Sequence, residues 1–269
     1  NNIALVNTHD GSMYKAFVGT GYKIKNFSFG LNIGLMWGGY SRVASYYVRD
    51  SFGRSFDLVS KISLSALYYQ VGMQYTKNLS KNDQLIIGLS GSTNTTATAD
   101  QNNYTTTWQY NSGTVLSEKS KKDSTQYKVI MPGNIDIGFT LTHKKYLLYG
   151  MDFKYSNWSV MQYNTSGKPL QNRWSVHGGF EFKPALKENA KSKKYLNSII
   201  YRAGGSIGKS EQNISNTFIN TYSLNLGLGL PVRIPRIISY CNIGFEMGGR
   251  GMDNRYANES YYRFNFFFT

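Results

Sequence analysis

Three features of the sequence predict a single transmembrane antiparallel β-barrel domain over residues 1–269. First, large apolar side chains alternate with small or polar ones in about eleven segments, and a period of two is that of a β-strand. Second, the charges inside these segments share the register of the glycines. Third, short and long connections alternate between the segments, as they do in transmembrane barrels.

The clearest segment of the first half reads FSFGLNIGLMWG, at residues 27–38. Its large apolar residues lie on one face of the predicted strand, with Met36 as the exception, and glycine, serine and asparagine lie on the other. This second face suits neither a packed core nor a charged surface, and it is typical of the inside of a membrane barrel. Five more strands with this alternation are predicted at residues 13–22, 68–76, 84–92, 134–142 and 146–156.

The second half of the chain adds five predicted strands. The most regular reads TYSLNLGLGL, at residues 221–230, where a tyrosine and four leucines alternate with serine, asparagine and glycine. The others are predicted at residues 173–183, 199–208, 238–250 and 261–269. The boundaries of strands predicted in this way are reliable to about two to four residues.

The two faces of these strands differ in charge. A charged side chain that faces lipid near the midplane costs about 2–4 kcal/mol for Arg or Lys, so a membrane barrel must keep its charges on the inner face. The mixed signs of these charges favour cross-strand pairs that brace the lumen over the lining of a substrate path. The predicted lumen-facing polar residues are Asp136, Asp152, Lys154, Arg173, His177, Glu181, Arg202, Glu246, Arg250 and Arg263. The predicted lipid-facing residues are Phe29, Leu31, Ile33, Leu35, Leu224, Leu226, Leu228, Phe264, Phe266 and Phe268.

The lengths of the connections predict an orientation. The short ones lie at about residues 23–26, 77–83, 143–145 and 231–236, with 184–197 as a longer exception. The long ones lie at residues 39–57, 92–126, 158–170, 209–217 and 251–258, and the Thr- and Asn-rich segment 92–126 is expected to be an exposed hairpin or a mobile loop. We therefore expect the outer membrane of a Gram-negative bacterium, with the short turns and the C-terminus in the periplasm.

The composition narrows the class of protein. The formal net charge is +15, but the excess basic residues lie in the predicted short turns. These turns are expected to be solvated and to keep the barrel soluble during transit, and contact with anionic headgroups or an acidic partner is the alternative. Nucleic acid is not expected as a partner, because the aromatic residues share a register with leucine and isoleucine instead of with basic residues. No run of 18 apolar residues is present. A soluble β-sandwich stays open as an alternative, mainly because the mean hydropathy is low.

Enzymatic chemistry is not predicted. Asp152, Ser175 and His177 are the residue types of a hydrolytic site, but the serine lies in no strained elbow motif. The sequence shows no His/Cys cluster for a metal, no phosphate-binding loop and no dinucleotide fingerprint. We therefore expect a protein that is not an enzyme and that has no cofactor.

Several segments together resemble a group of Bacteroidota outer-membrane barrels that is distantly related to the FadL/OmpP1/TodX long-chain fatty-acid transporters. The resemblance is carried by GLGLP (227–231), NIGFEMGGRG (242–251) and ESYYRF (259–264), and it covers most of residues 13–269. It implies a FadL-like barrel of 14 strands with an N-terminal hatch in the lumen. Because about eleven strands are visible and the hatch has no counterpart, we expect the chain to lack its N-terminal strands and hatch.

Two functions follow as expectations from this resemblance. The first is uptake or passage of hydrophobic small molecules across the outer membrane. The alternative is a non-transporting barrel subunit of a larger outer-membrane complex for secretion or assembly. The expected partners are the lipids of the outer membrane, namely phospholipid and lipopolysaccharide, together with other outer-membrane or secretion proteins.

Overall fold

The structure is a computed structural model that describes residues 3–48, 54–111, 114–161, 170–186, 195–214, 217–234, 237–251 and 258–269. These residues form thirteen β-strands, two short 3₁₀ helices (Trp158–Val160 and Pro184–Leu186) and one four-residue α-helix (Tyr195–Ser198). None of the described helices is both long and apolar enough to cross a bilayer. The strands are β1 (Ile3–Ile24), β2 (Phe27–Val48), β3 (Ser55–Asn78), β4 (Asp83–Ser92), β5 (Thr95–Asn111), β6 (Thr114–Met131), β7 (Asn134–His143), β8 (Leu147–Ser156), β9 (Arg173–Phe182), β10 (Ile200–Ile214), β11 (Thr217–Ile234), β12 (Ile237–Gly251) and β13 (Asn258–Phe268).

All eleven predicted strands are present, as β1 to β4 and β7 to β13. The expected loops were partly wrong. Segment 92–126 contains β5 and most of its partner β6, which is the hairpin alternative, and most of 39–57 belongs to β2 and β3. Residues 209–217 likewise belong mainly to β10 and β11. The connections predicted at 158–170, 184–197, 231–236 and 251–258 lie partly outside the described residues.

The strands pair in the order β1-β2-β3-β4-β7-β8-β9-β10-β11-β12-β13. β5 and β6 are not part of this order, because β5 pairs with β3 and β6 pairs with β5. The length of β3 permits two partners in succession: residues 55–65 pair with β5 and residues 71–78 pair with β4. All of the described registers are antiparallel.

The chain divides into two compact units, and the first comprises residues 1–19, 32–69 and 95–131. Its interior is built from small and branched side chains. Ala97 and Ala99 of β5 and Val129 of β6 are almost fully buried, with Ile62 and Ala66 of β3 also below 9% exposure. Small side chains of this kind allow strands with little apolar character to pack closely, which explains why the Thr-rich segment forms a hairpin.

The second unit comprises residues 20–31, 70–94 and 132–269. β4, β7, β8 and β9 each have ten residues. At about 3.3 Å per residue and a tilt of about 40°, ten residues span about 25 Å, the height of the apolar band of a membrane barrel. These four strands are therefore just long enough to cross the hydrocarbon layer, and β10, β11 and β12, with 15, 18 and 15 residues, are longer.

One face of the second unit, which we call the apolar face, is a continuous row of apolar side chains. Cross-strand pairs run from Leu85 to Leu141, Tyr149, Phe180, Ala203, Leu226, Phe245 and Phe264. The eight predicted lipid-facing residues of this unit are exposed, from 38% for Leu31 to 78% for Phe264. The other two, Ile33 and Leu35, belong to the first unit and are exposed there. Contiguous exposed apolar surfaces mark contact with a membrane or a partner protein.

The connection between β3 and β4 is fixed by Asp83. The Ser80 hydroxyl donates to Asp83 Oδ2 at 2.9 Å, the backbone N–H of Lys144 donates to Oδ1 at 3.3 Å, and His143 Nδ1 lies 2.8 Å from Oδ1. These contacts, with the Ser80 hydrogen bond first among them, hold the pKa of the Asp83 carboxyl below its ordinary value. Asp83 therefore joins the β3–β4 connection to the β7–β8 turn.

Asp83 should make this pair of turns sensitive to acid. Because its pKa is lower in the folded chain than in the unfolded one, its contribution is complete above the unfolded value of about 4 and is lost as the pH falls through the folded value. We expect the thermal midpoint of the wild type to fall more steeply between pH 5 and pH 2 than that of Asp83→Asn. Parallel curves for the two proteins would contradict this role for the carboxylate.

Candidate functional site

The face opposite the apolar face, which we call the polar face, gathers the charged residues of the second unit. One row of directly paired residues runs Gly88, Gly138, Asp152, His177, Ser206, Ser223, Gly248 and Tyr261. Neighbouring rows pair Asp136 with Lys154, Glu181 with Arg202, Glu246 with Arg263 and Arg250 with Glu259. Because directly paired residues lie on the same side of a sheet, the ten predicted polar residues share one face.

Arg202 organises the largest network on this face. Its Nε donates to Glu181 Oε2 at 2.7 Å, and its Nη1 donates to Asn242 Oδ1 at 2.8 Å. Lys183 Nζ lies 2.6 Å from the other oxygen of Glu181. Asn242, only 4% exposed, donates in turn to Thr269 Oγ1 at 3.1 Å. The network therefore links β9, β10 and β12 to the C-terminal residue.

Two glycines allow Arg202 to cross a whole strand. Arg202 is on β10 and Asn242 is on β12, so the guanidinium must pass over β11 between them. A Cβ placed at Gly229 would lie 3.3 Å from Arg202 Nη1 and 3.2 Å from Asn242 Oδ1, and one at Gly227 would lie 3.4 Å from Arg202 Cβ. The glycines of the GLGLP segment thus keep the path of this side chain clear.

Further pairs brace the strands toward the C-terminus. Glu246 accepts a hydrogen bond from the Tyr261 hydroxyl at 2.7 Å and lies 3.5 Å from Arg263 Nη1. Arg250 donates to Gln212 Oε1 at 2.7 Å and lies 3.4 Å from Glu259. Arg173 Nη1 lies 3.7 Å from Glu211. The charges of this part of the polar face are mostly engaged with one another.

A cavity of about 500 Å³ lies over the polar face at β2, β3, β4, β7 and β8. Its floor is unusually bare, because Gly30, Gly72, Gly88 and Gly138 all contribute to it. Asp136 accepts a hydrogen bond from Asn134 Nδ2 at 2.9 Å, while the Asp152 carboxylate lies directly over Gly138. The cavity therefore combines a glycine floor with two carboxylates.

The residues of a hydrolytic site come close together but do not form one. His177 Nε2 is 2.9 Å from Ser175 Oγ, and Asp152 is the cross-strand neighbour of His177. The Asp152 side chain, however, turns toward Gly138 of β7, on the side away from β9. The serine lies within a regular strand instead of a strained turn. This arrangement lacks the aspartate that would orient the imidazole for catalysis.

The sequence identified most of the polar residues but missed some that complete the networks. Asn242, Tyr261, Glu211 and Glu259 each bond a predicted residue. Asn242 shares the register of Gly244 and Glu246, so strand alternation alone could have assigned it to the polar face. Among the residues that the structure describes, no three His, Cys, Asp or Glu side chains are grouped closely enough to hold a metal ion.

Comparison with known proteins gives a family and a fold. A family model described as BamG matches residues 1–269. No curated protein matches the sequence. Among solved structures, the chain resembles the RagAB peptide transporter with a TM-score of 0.54 at 10% identity, over 91% of this chain and 31% of that one. A structure of the RagAB peptide importer in a closed-closed state gives a TM-score of 0.52 at 10% identity, with the same coverage.

A further match is the outer membrane protein OprD from Pseudomonas aeruginosa, with a TM-score of 0.37 at 8% identity, over 99% of this chain and 93% of that one. The likeness to the RagAB structures, with TM-scores above 0.5, gives the fold as that of an outer-membrane β-barrel. The chain spans about a third of the length of the RagAB chains that it matches. The resemblance to the FadL/OmpP1/TodX group stays a prediction.

Proposed function

Because the chain belongs to the BamG family, we propose that it is a non-transporting barrel subunit of the machinery that assembles outer-membrane proteins. The family name itself points to a component of that machinery. The proposal corresponds to the second of the two functions expected from the sequence. It places the C-terminus and the short turns in the periplasm, with other outer-membrane proteins as partners.

The observation that carries this proposal is the mutual pairing of charges on the polar face. Glu181, Arg202, Glu246, Arg250 and Arg263 all contact oppositely charged or hydrogen-bonding groups on neighbouring strands. Each of these partly exposed pairs contributes under about 1 kcal/mol, but together the pairs tie β9, β10, β12 and β13 to one another. A wall braced like this suits a rigid support better than a path that must bind and release a solute.

Passage of a small molecule is the second candidate, and the cavity over Gly88 favours it. Its volume of about 500 Å³ falls within the range of about 300–1,000 Å³ that is usual for small-molecule sites. The carboxylates of Asp136 and Asp152 and the polar side chains of Ser28, Gln74 and Ser90 contribute to its lining. A polar lining of this kind suits a polar solute better than the hydrophobic one that the sequence suggested.

Purification from native outer membranes in a mild detergent tests the main proposal. We expect the tagged chain to bring down other outer-membrane proteins in fixed stoichiometry, including a component that inserts barrels. Depletion of the chain should lower the amounts of several unrelated outer-membrane proteins together. Recovery of a lone barrel, with unchanged amounts of other barrels after depletion, would overturn the proposal.

A bulky substitution at Gly88 distinguishes the assembly subunit from the small-molecule channel. A Cβ at this position meets no atom within 4 Å, so Gly88→Trp should fill the cavity without disturbing the wall. If the chain is an assembly subunit, Gly88→Trp should support the assembly of other barrels as well as the wild type does. If it is a channel, solute entry into liposomes should fall for Gly88→Trp and not for Ile87→Trp, at the neighbouring position on the apolar face.

A further inference from the structure

The ends of the strands at the short turns form one continuous rim. Thr76 N–H donates to Asn26 O at 2.8 Å, Lys144 N–H donates to Asp83 Oδ1 at 3.3 Å, and Lys183 N–H donates to Tyr146 O at 2.8 Å. These bonds join the β1–β2 turn, the β3–β4 connection, the β7–β8 turn and the end of β9. All of them lie within the second unit.

Six exposed lysines stand on this rim, and we call them the rim lysines: Lys23, Lys25, Lys77, Lys81, Lys144 and Lys145. None of their ammonium groups forms an ion pair with a carboxylate of the described residues. The acidic group among them, Asp83, is engaged with Ser80, His143 and a backbone N–H instead. The rim therefore carries six positive charges against the single negative charge of Asp83, which leaves a net charge of +5.

Three of the rim lysines occupy backbone conformations that disfavour them. Lys25 has a φ of 51°, Lys144 a φ of 46° and Lys145 a φ of 62°. Glycine and asparagine are preferred at such positions of a hairpin turn, because a larger side chain is crowded there. Lysines at these positions work against the stability of the turn. Strained positions of this kind cluster at functional sites, which suggests that the positive charges are needed at the rim.

The depth of the rim indicates what these charges meet. β7 and β8 have ten residues each, about the minimum for a membrane-spanning strand, and Lys144 and Lys145 follow β7 directly. The exposed aromatic side chains of Tyr22 and Phe27 flank the β1–β2 turn, and aromatic residues concentrate at the headgroup level of a bilayer. Strands of this length, with aromatic residues at their ends, would hold the rim lysines at the level of the lipid phosphates.

We propose that the rim lysines bind the phosphates of anionic phospholipid headgroups in the leaflet next to the short turns. The contact is an electrostatic one with ammonium groups held at the headgroup level, and no single lipid is enclosed. It is independent of the assembly role proposed above and needs only the membrane-spanning fold.

Lipid selectivity of the full chain tests this proposal. The delipidated protein in mild detergent is offered equal amounts of phosphatidylglycerol and phosphatidylcholine, and bound lipids are counted by native mass spectrometry. We expect the wild type to retain phosphatidylglycerol preferentially. Lys144→Asn combined with Lys145→Gly should reduce that preference about 30-fold if each lysine contributes as a polybasic residue near a charged surface does.

The thermal stability of the same double variant should change in the opposite direction to its lipid binding. Because asparagine and glycine fit the positive-φ positions better, the variant should unfold at a higher temperature than the wild type while it binds less anionic lipid. The control is Lys61→Gln with Lys128→Gln, which removes the same charge from β3 and β6 and should leave the lipid preference unchanged.

Three outcomes would overturn the proposal. The first is a wild type without preference for phosphatidylglycerol, and the second is an equal loss in the control, which would assign the effect to net charge alone. The third is a rim variant that keeps its lipid preference but loses a co-purifying protein, which would make the rim a protein-docking surface.

Discussion

Replacement of Leu226 by arginine should lower the free energy of unfolding from a lipid bilayer by about 2–4 kcal/mol, the range for a cation near the midplane of a membrane barrel. Leu226 is 53% exposed on the apolar face and pairs with Ala203 and Phe245. An arginine there would place its charge among apolar side chains and acyl chains. Reversible unfolding in phospholipid vesicles, followed by tryptophan fluorescence, measures the change.

The matched control is the neighbouring residue. Asn225 points to the polar face, where Glu246 is its cross-strand partner on β12. Asn225→Arg adds the same side chain within reach of a carboxylate, so we expect a change below about 1 kcal/mol. If Asn225→Arg lowers the free energy of unfolding more than Leu226→Arg does, the apolar face does not contact lipid. That result would support the soluble sandwich that the low mean hydropathy left open.

The strands of the second unit were predictable because their signal is local. In a strand such as β11, each leucine faces one way and each glycine or asparagine the other, so the period of two is visible without knowledge of the partner strands. β5 gave no such signal. Its buried positions are Ala97 and Ala99, and alanine beside threonine produces little contrast in hydropathy. The pairing of β5 with β3 depends on contacts distant in sequence, which alternation cannot reveal.

For the candidate site, too, the sequence predicted which residues share a face but not which side chains contact one another. Register assigns Glu181 and Arg202 to one face, but it does not say that the arginine reaches across β11 to Asn242. That contact depends on the stagger between three strands and on the absence of side chains at Gly227 and Gly229. Likewise, alternation assigns Asp152 and His177 to one face, whereas the rotamer that turns Asp152 over Gly138 is set by the space above that glycine.

Replacement of Arg202 by methionine should lower the free energy of unfolding by about 2–3 kcal/mol. The change leaves Asn242 Oδ1 without its donor in a position that is 4% exposed, and an unsatisfied buried acceptor costs about 1–3 kcal/mol. Glu181 loses one of two cationic partners but keeps Lys183. Since the Arg202 side chain is 37% exposed, solvent screens that pair, and its loss should add under about 1 kcal/mol.

A double-mutant cycle shows whether the arginine acts across β11. Asn242→Leu removes the acceptor, and the Arg202→Met, Asn242→Leu double variant removes both partners together. If the guanidinium bridges β10 and β12, the double variant should be more stable than the sum of the single losses by about 1 kcal/mol, because neither group is then left unpaired. Gly229→Leu should abolish this coupling, since its side chain would occupy the path between the two groups, which are 2.8 Å apart. Additive losses would mean that Arg202 stabilises β9 and β10 alone and that the glycines of β11 serve another purpose.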